Sequence, residues 1–285
     1  MEYIVASASL LGGFVLLAFA GDYLVAAAAN LAVRLKVSPL FIGITVVAAG
    51  TSLPELIVCL IAQFQDSPGL VIGNIFGSNI FNIGLVLGSV LVLKKVGAIS
   101  IGKMEVSVLI ISTLSLLIYL FSQQNDEGYS VLTQPVAVVM ETVFLFMIFL
   151  IYRSGKSKTA VLEEIDEMIT EAGSLTVALS LALGTFGLWL GGKLLVDGAI
   201  TLASLLGIQE TIIGLTIVAA GTGAPELFAS LAALRRGSSA IAVGNVVGSN
   251  LFNTIGVLGA AALVKPISIR IPDVEVDMII MFLMT

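Results

Sequence analysis

The chain has 285 residues, 58% hydrophobic and 11% charged, with a net charge of −6 and a mean hydropathy of +1.11. Soluble domains carry about 25% charged residues, so these side chains cannot cover a water-facing surface, and a soluble globular protein is excluded. Histidine is absent and Cys59 is the single cysteine, which rules out an intrachain disulfide, histidine metal sites, histidine proton relays and Ser-His catalysis. With no paired-aspartate protease motif either, the chain reads as a membrane protein that is not an enzyme.

The first apolar run, 4–30, follows Met1 and Glu2 with no positive charge and continues well past Phe19, so it reads as a span and not as a signal peptide. Further runs fall at 40–64, 70–92, 104–121, 133–152, 173–205, 211–234 and 241–263. A span needs about 20 residues; the runs 4–30 and 173–205 are longer, which predicts tilt or a bend. A ninth run begins near 274 and has about a dozen residues, too few to cross.

Alternate loops divide the basic residues unevenly. One side receives Arg34, Lys36, Lys94, Lys95, Lys103, Arg153, Lys156, Lys158, Arg235 and Arg236; the other receives Lys265 and Arg270. The positive-inside rule then puts the first set in the cytoplasm and the N-terminus outside, in the plasma (inner) membrane. Between the fifth and sixth runs, 153–172 carries Glu163, Glu164, Asp166, Glu167 and Glu171. Such a run is ordinarily a solvated cytoplasmic segment; a regulatory cation site is the alternative.

The sequence states its polar motifs twice. Residues 43–55 read GITVVAAGTSLPE and 214–226 read GLTIVAAGTGAPE; 73–82 read GNIFGSNIFN and 244–253 read GNVVGSNLFN. The offset is 171 in both pairs, with 9 of 13 and 7 of 10 positions identical. This is an internal duplication. Five runs precede the linker, and an odd number makes the second repeat enter the membrane from the opposite side. The expected organisation is a first transmembrane repeat over 1–152, a linker over 153–172 and an inverted second repeat over 173–285. The same shift applied to the fourth and fifth runs points near 275–292 and 304–323, and the given sequence stops at Thr285, so the ninth run is short and no tenth run is seen.

In the second run, Pro54 lacks an N–H and its ring clashes with the Gly50 carbonyl, so the helix should bend or break there. Carbonyls around Ala48 to Gly50 then need partners that lipid does not offer. Thr51 lies four residues and Ala48 seven residues before Glu55, which places hydroxyl, carboxylate and loosened backbone on one face. Ala219, Gly221, Thr222, Pro225 and Glu226 repeat the arrangement. Asn74, Ser78 and Asn82 form a stripe on the third run, repeated by Asn245, Ser249 and Asn253. Asn and Ser stripes in spans are often interhelical ties, and the Gly73/Gly77 and Gly244/Gly248 spacings indicate only close packing. A carboxylate near the bilayer centre costs a few kcal/mol, so two at equivalent places require a function. Carboxylate, hydroxyl, amide and carbonyl oxygens suit Ca2+, which takes about six to eight oxygens, and would also accept Na+. Other charges are less telling: Lys193 and Asp197 are spaced to pair on one helix, Asp22 is the repeat equivalent of Lys193, and Glu141 is placed near the outer interface.

GTSLPE, GTGAPE and the two G-N-x-x-G-S-N-x-F-N stretches resemble the paired α-repeats of the Ca2+/cation antiporter superfamily, in its prokaryotic sodium/calcium exchanger branch. The resemblance covers nearly the whole chain. It implies an all-α integral membrane fold of inverted five-helix repeats, with Na+ uptake driving Ca2+ export. It implies Glu55 and Glu226 as central ligands, Thr51, Ser52, Ser78 and Asn82 lining the site from the first repeat, Thr222, Ser249 and Asn253 from the second, and the carbonyls of Ala48 and Ala219 completing the sodium sites. The first and sixth spans would slide across this core. Gly223 stands where Ser52 stands in the first repeat, and Asn253 stands where some relatives, potassium-dependent ones among them, carry Asp. The transported ions are then Ca2+ and Na+, no cofactor is expected, and the surroundings are lipid, with no nucleic acid. A H+/Ca2+ antiporter using the same two glutamates is the alternative, and a cation channel a further one.

Overall fold

The computed structural model describes residues 1–93, 103–155, 173–207 and 219–285. The acidic linker with Glu163, Glu164, Asp166, Glu167 and Glu171, the basic residues Lys94, Lys95, Lys156 and Lys158, and the start of the second GLTIVAAGTGAPE motif lie outside the described residues.

Within the described residues, the apolar runs become helices close to the expected bounds. α1 spans Glu2–Leu35 and ends where Lys36 takes a left-handed φ of 54°. The second span is divided into α2 (Pro39–Ile42), a π-helical turn Gly43–Val47, α3 (Ala48–Thr51) and α4 (Leu53–Phe64). Ser38 caps its start by accepting from the Phe41 N–H, with Pro39 in the first turn. The third span is α5 (Pro68–Phe81), a π turn Asn82–Leu87 and α6 (Gly88–Leu93). α7 (Lys103–Ser122), α8 (Gln134–Gly155) and α9 (Ser174–Leu205) follow. Then come α10 (Ala219–Thr222), α11 (Ala224–Arg235), α12 (Ser239–Leu251), a π turn Phe252–Val257, α13 (Leu258–Val264) and α14 (Ile271–Met284). Among the described residues, six helices are long and apolar enough to cross a membrane, and Pro39–Thr51 with Leu53–Phe64 makes a seventh candidate bent by 45°. α14 has 14 residues, short of the roughly 20 a span needs.

The all-helical expectation needs one addition. Tyr129–Leu132 (β1) pairs antiparallel with Ile267–Arg270 (β2), Tyr129 opposite Arg270 and Leu132 opposite Ile267. The ribbon puts the loop after α7 and the segment after α13 on one side of the helices. Lys265 and Asp66 form an ion pair on that same side.

α1 and α9 lie antiparallel along their full length. Tyr3 Oη donates to the Leu205 carbonyl at 3.0 Å at one end, and Arg34 Nη1 donates to Ser174 Oγ at 2.9 Å at the other. At 34 and 32 residues each is about 50 Å long, well over the roughly 30 Å hydrocarbon core. Glycine lets them touch: a Cβ on Gly198 would stand 2.6 Å from the Leu10 backbone nitrogen, and one on Gly184 2.9 Å from Leu24 Cα. At the centre, the span Ser239–Val264 is 78% buried, whereas Gln134–Arg153 at the edge is 11% buried. α12 crosses the second span where Gly43 and Gly244 meet; a Cβ on Gly244 would stand 2.6 Å from the Leu40 carbonyl oxygen.

Candidate cation site

The two breaks are alike and local in origin. Ser52 (φ −86°, ψ 4°) separates α3 from α4, and Gly223 (φ −84°, ψ −1°) precedes α11; each is followed two residues later by a proline in the first turn. Pro54 and Pro225 lack the N–H that would close the turn behind them. The restarted helices then present Glu55 and Glu226 in their first turns, where a helix favours negative charge. Both glutamates are fully buried, at 0% exposure.

The halves meet at these acids. Ser52 Oγ donates to Glu226 Oε1 at 3.4 Å. The Glu55 and Glu226 carboxylates are close enough to repel each other, and the Ser78 hydroxyl faces Glu55 without a well-formed hydrogen bond. Thr51 Oγ1 lies 3.1 Å from Asn245 Oδ1, 3.3 Å from Ser249 Oγ and 3.3 Å from the Ala48 carbonyl oxygen. That carbonyl also accepts from the Ser52 N–H at 2.9 Å, so it faces both a backbone donor and the Thr51 hydroxyl. Asn82 and Asn253 are buried; Asn82 begins one π-helical turn and Asn253 is the second residue of the other. π turns inside helices frequently occur at functional sites.

Several polar atoms here have no hydrogen-bond partner among the described residues: both carboxylate oxygens of Glu55, Glu226 Oε2, Ser78 Oγ, and both side-chain polar atoms of Asn82 and Asn253. Leaving one such group unsatisfied costs about 1–3 kcal/mol, more if charged. Two acids among neutral oxygens, with no lysine or arginine in either broken-helix motif, match a small hard cation.

The sequence-predicted residues fall as follows. Glu55, Glu226, Ser52, Thr51, Ser249 and Ser78 come together through the contacts above. Asn82 and Asn253 lie buried at the first and second positions of their respective π turns. Thr222 closes α10 beside Gly223, and Ala219 opens α10. Asn74 and Asn245 act as ties: Asn74 Nδ2 donates to the Glu55 carbonyl at 3.4 Å and Cys59 Sγ at 3.3 Å, and Asn245 Nδ2 to the Glu226 carbonyl at 3.1 Å and Ser230 Oγ at 3.0 Å. Glu141 is the eighth of the 22 residues of α8, with Oε1 turned towards Gly259. Sequence reasoning missed a further pair. Asn79 Nδ2 donates to Thr254 Oγ1 at 2.8 Å, and Asn250 Nδ2 to the Asn79 carbonyl at 3.3 Å. Asn79 and Asn250 are repeat equivalents inside the duplicated GSN, so the duplication itself carried their signal, while the four-residue stripe passed over them.

Mirrored breaks in membrane-spanning helices, each presenting one buried acid to a shared cluster of neutral oxygens, define an integral membrane cation transporter. The chain matches the family described as sodium/calcium exchanger protein over residues 5–154 and 176–285, and it belongs to that family. It is 32% identical over 296 residues, covering 91% of this chain and 83% of its own length, to the sodium/calcium exchanger MaX1 of Methanosarcina acetivorans. It is 34% identical, over 92% of this chain and 81% of its own length, to the inner membrane protein YrbG of Escherichia coli. A solved structure of the sodium-calcium exchanger NCX_Mj superposes with a TM-score of 0.79 at 30% identity, covering 99% of this chain and 88% of that one.

Proposed function

We propose that this chain exchanges Na+ for Ca2+ by alternating access, with the two ions competing for overlapping oxygens at the meeting of inverted repeats. Glu55 and Glu226 are the shared charged ligands. Thr51, Ser52, Ser78, Asn82, Thr222, Ser249 and Asn253, with the Ala48 and Ala219 carbonyls, complete the set. The observation that carries the reading is the contact between Ser52 and Glu226 across the repeats, beside a Glu55 carboxylate that accepts no hydrogen bond from the described residues. Neither repeat alone can balance a divalent charge; together they bring two carboxylates. The exchanger named for MaX1 and the exchanger NCX_Mj support Na+ as the driving ion. The chain is placed with its N-terminus outside and 153–172 cytoplasmic, in the plasma (inner) membrane, and 1–152 and 173–285 act as the two repeats.

Ca2+ flux into vesicles tests this, driven by an imposed Na+ gradient at clamped pH. Flux that follows the Na+ gradient is expected. Flux that follows a pH gradient and ignores Na+ would replace Na+ with H+ as the coupling ion, and conductance far above carrier turnover would replace exchange with a channel.

A further inference from the structure

Lys193 and Asp197 lie within the long span α9 and form an ion pair at 2.8 Å, each side chain 56% exposed. Charged groups at span depth face the protein interior or water, not lipid, so their exposure marks a wet surface. A cavity of 170 Å3 opens at this pair and reaches Thr222, Pro54 and Pro225 at the two helix breaks. A second cavity, of 440 Å3, lies on the far side of Asp197 and runs to Glu2, Ser9 and Thr201 at the Met1 end of α1. Asp197 lines both. The pair joins residues four apart on one helix, so it braces no two elements, and an exposed pair of this kind contributes little to stability. Its repeat equivalent differs: Asp22 on α1 faces Arg236, beyond the end of α11, at 3.7 Å.

We propose that the Lys193–Asp197 pair is an electrostatic gate on the route by which cations reach the site from the Met1 end of the helices. The proposal rests on the exchange reading above and deepens it. Asp197 neutralises a lysine that would otherwise repel the ions passing it, and a fixed charge acts on Ca2+ twice as strongly as on Na+. At roughly 8 Å in a water-like dielectric, one uncompensated charge changes local divalent cation concentration about fivefold and monovalent about twofold.

Two readouts test the gate. In oriented vesicles at low salt, Lys193→Gln should lower the half-saturating Ca2+ on the Met1 face roughly fivefold and Asp197→Asn should raise it roughly fivefold, with shifts of about twofold for Na+. The double variant should return close to the starting value. At 1 M salt, where the screening length falls to about 3 Å, the shifts should collapse. The second readout needs no transport. With Val196→Cys as reporter in a Cys59→Ser background, the ratio of modification by a cationic thiol reagent to that by a neutral one should rise about twofold with Lys193→Gln and fall about twofold with Asp197→Asn. A structural role would move both single variants in the same direction. Shifts of one sign in both, or an unchanged reagent ratio, overturn the gate and leave the exchange reading standing; gated reagent ratios without Na+-driven flux overturn the exchange reading instead.

Discussion

The Ser52 hydroxyl donates to Glu226 Oε1 at 3.4 Å, and the reciprocal bond to Glu55 does not exist. Gly223 occupies the position equivalent to Ser52, and the Phe81 ring fills the space where a side chain on Gly223 would stand. The equivalent ring, Phe252, packs edge-on against Phe144 at 4.8 Å instead. The duplicated site is therefore asymmetric: Glu226 has a hydroxyl from the opposite repeat, whereas the equivalent position, Gly223, has none and faces the Phe81 ring.

That asymmetry makes Gly223→Ser a test of packing. The new side chain meets the Phe81 ring, and overfilling a close-packed site costs about 1–3 kcal/mol. The variant should melt at a lower temperature, and adding Phe81→Leu should restore most of the loss. A Gly223→Ser protein as stable as the original would mean that Phe81 swings away freely.

The charged ligands should be the most sensitive positions. Glu55→Gln and Glu226→Gln keep the shape and remove one charge each. Losing one partner of a buried charge interaction costs about 2–5 kcal/mol, so Ca2+ exchange should fall by roughly 30-fold or more. Size-exclusion and circular dichroism profiles should be unchanged. Exchange at the original rate in either variant refutes its ligand role.

Thr51 joins the halves more gently, through Asn245 and Ser249. Thr51→Val preserves shape and deletes the hydroxyl, a loss of about 0.5–1.5 kcal/mol per hydrogen bond. The Na+ activation curve should move by roughly 2- to 10-fold, with Ca2+ transport retained. An unmoved Na+ curve would count against Thr51 as a sodium ligand.

Asn245 and Asn74 hold equivalent backbone carbonyls with unequal bonds, at 3.1 Å to the Glu226 carbonyl and 3.4 Å to the Glu55 carbonyl. Asn245→Ala should be the more destabilising, because its second acceptor is the buried Ser230 hydroxyl at 3.0 Å while that of Asn74 is the weaker Cys59 sulfur at 3.3 Å. Thermal melting of the two variants side by side measures this, and an equal or reversed order contradicts it.

The close approach of α1 and α9 predicts a further sensitivity. Gly198→Val places a branched side chain against the Leu10 backbone, which has no room to yield. The pair should separate and the protein should lose stability, whereas Gly12→Val, with nothing within 4 Å of its Cβ position, should change little. Equal melting temperatures for the two would show that this packing tolerates a wider gap.

Much of the architecture was legible in the sequence because its causes are local. A proline two residues beyond Ser52 or Gly223 breaks a helix wherever it sits, and a glutamate in an apolar run demands a partner in any fold. The apolar runs set the helices to within a few residues for the same reason. The β1–β2 ribbon was not legible: Tyr129–Leu132 and Ile267–Arg270 are short, and their pairing depends on two distant loops arriving on one side. The π turns at Asn82 and Asn253 left no mark either, since a one-residue change in helical bonding alters no periodicity that can be read over so short a stretch.

By itself, then, the chain's residue order determined that there are two related halves, that each is broken once at a small residue and a proline, and that each buries one acid in lipid-compatible surroundings. Folding in three dimensions decided how the halves differ. Ser52 meets Glu226 across 174 positions, Phe81 closes over Gly223, and Asn79 rather than the expected stripe ties α5 to the π turn after α12. Helix breaks follow from covalent geometry, which each residue carries with it; contacts between halves follow from packing, where the same motif finds different neighbours on its two sides.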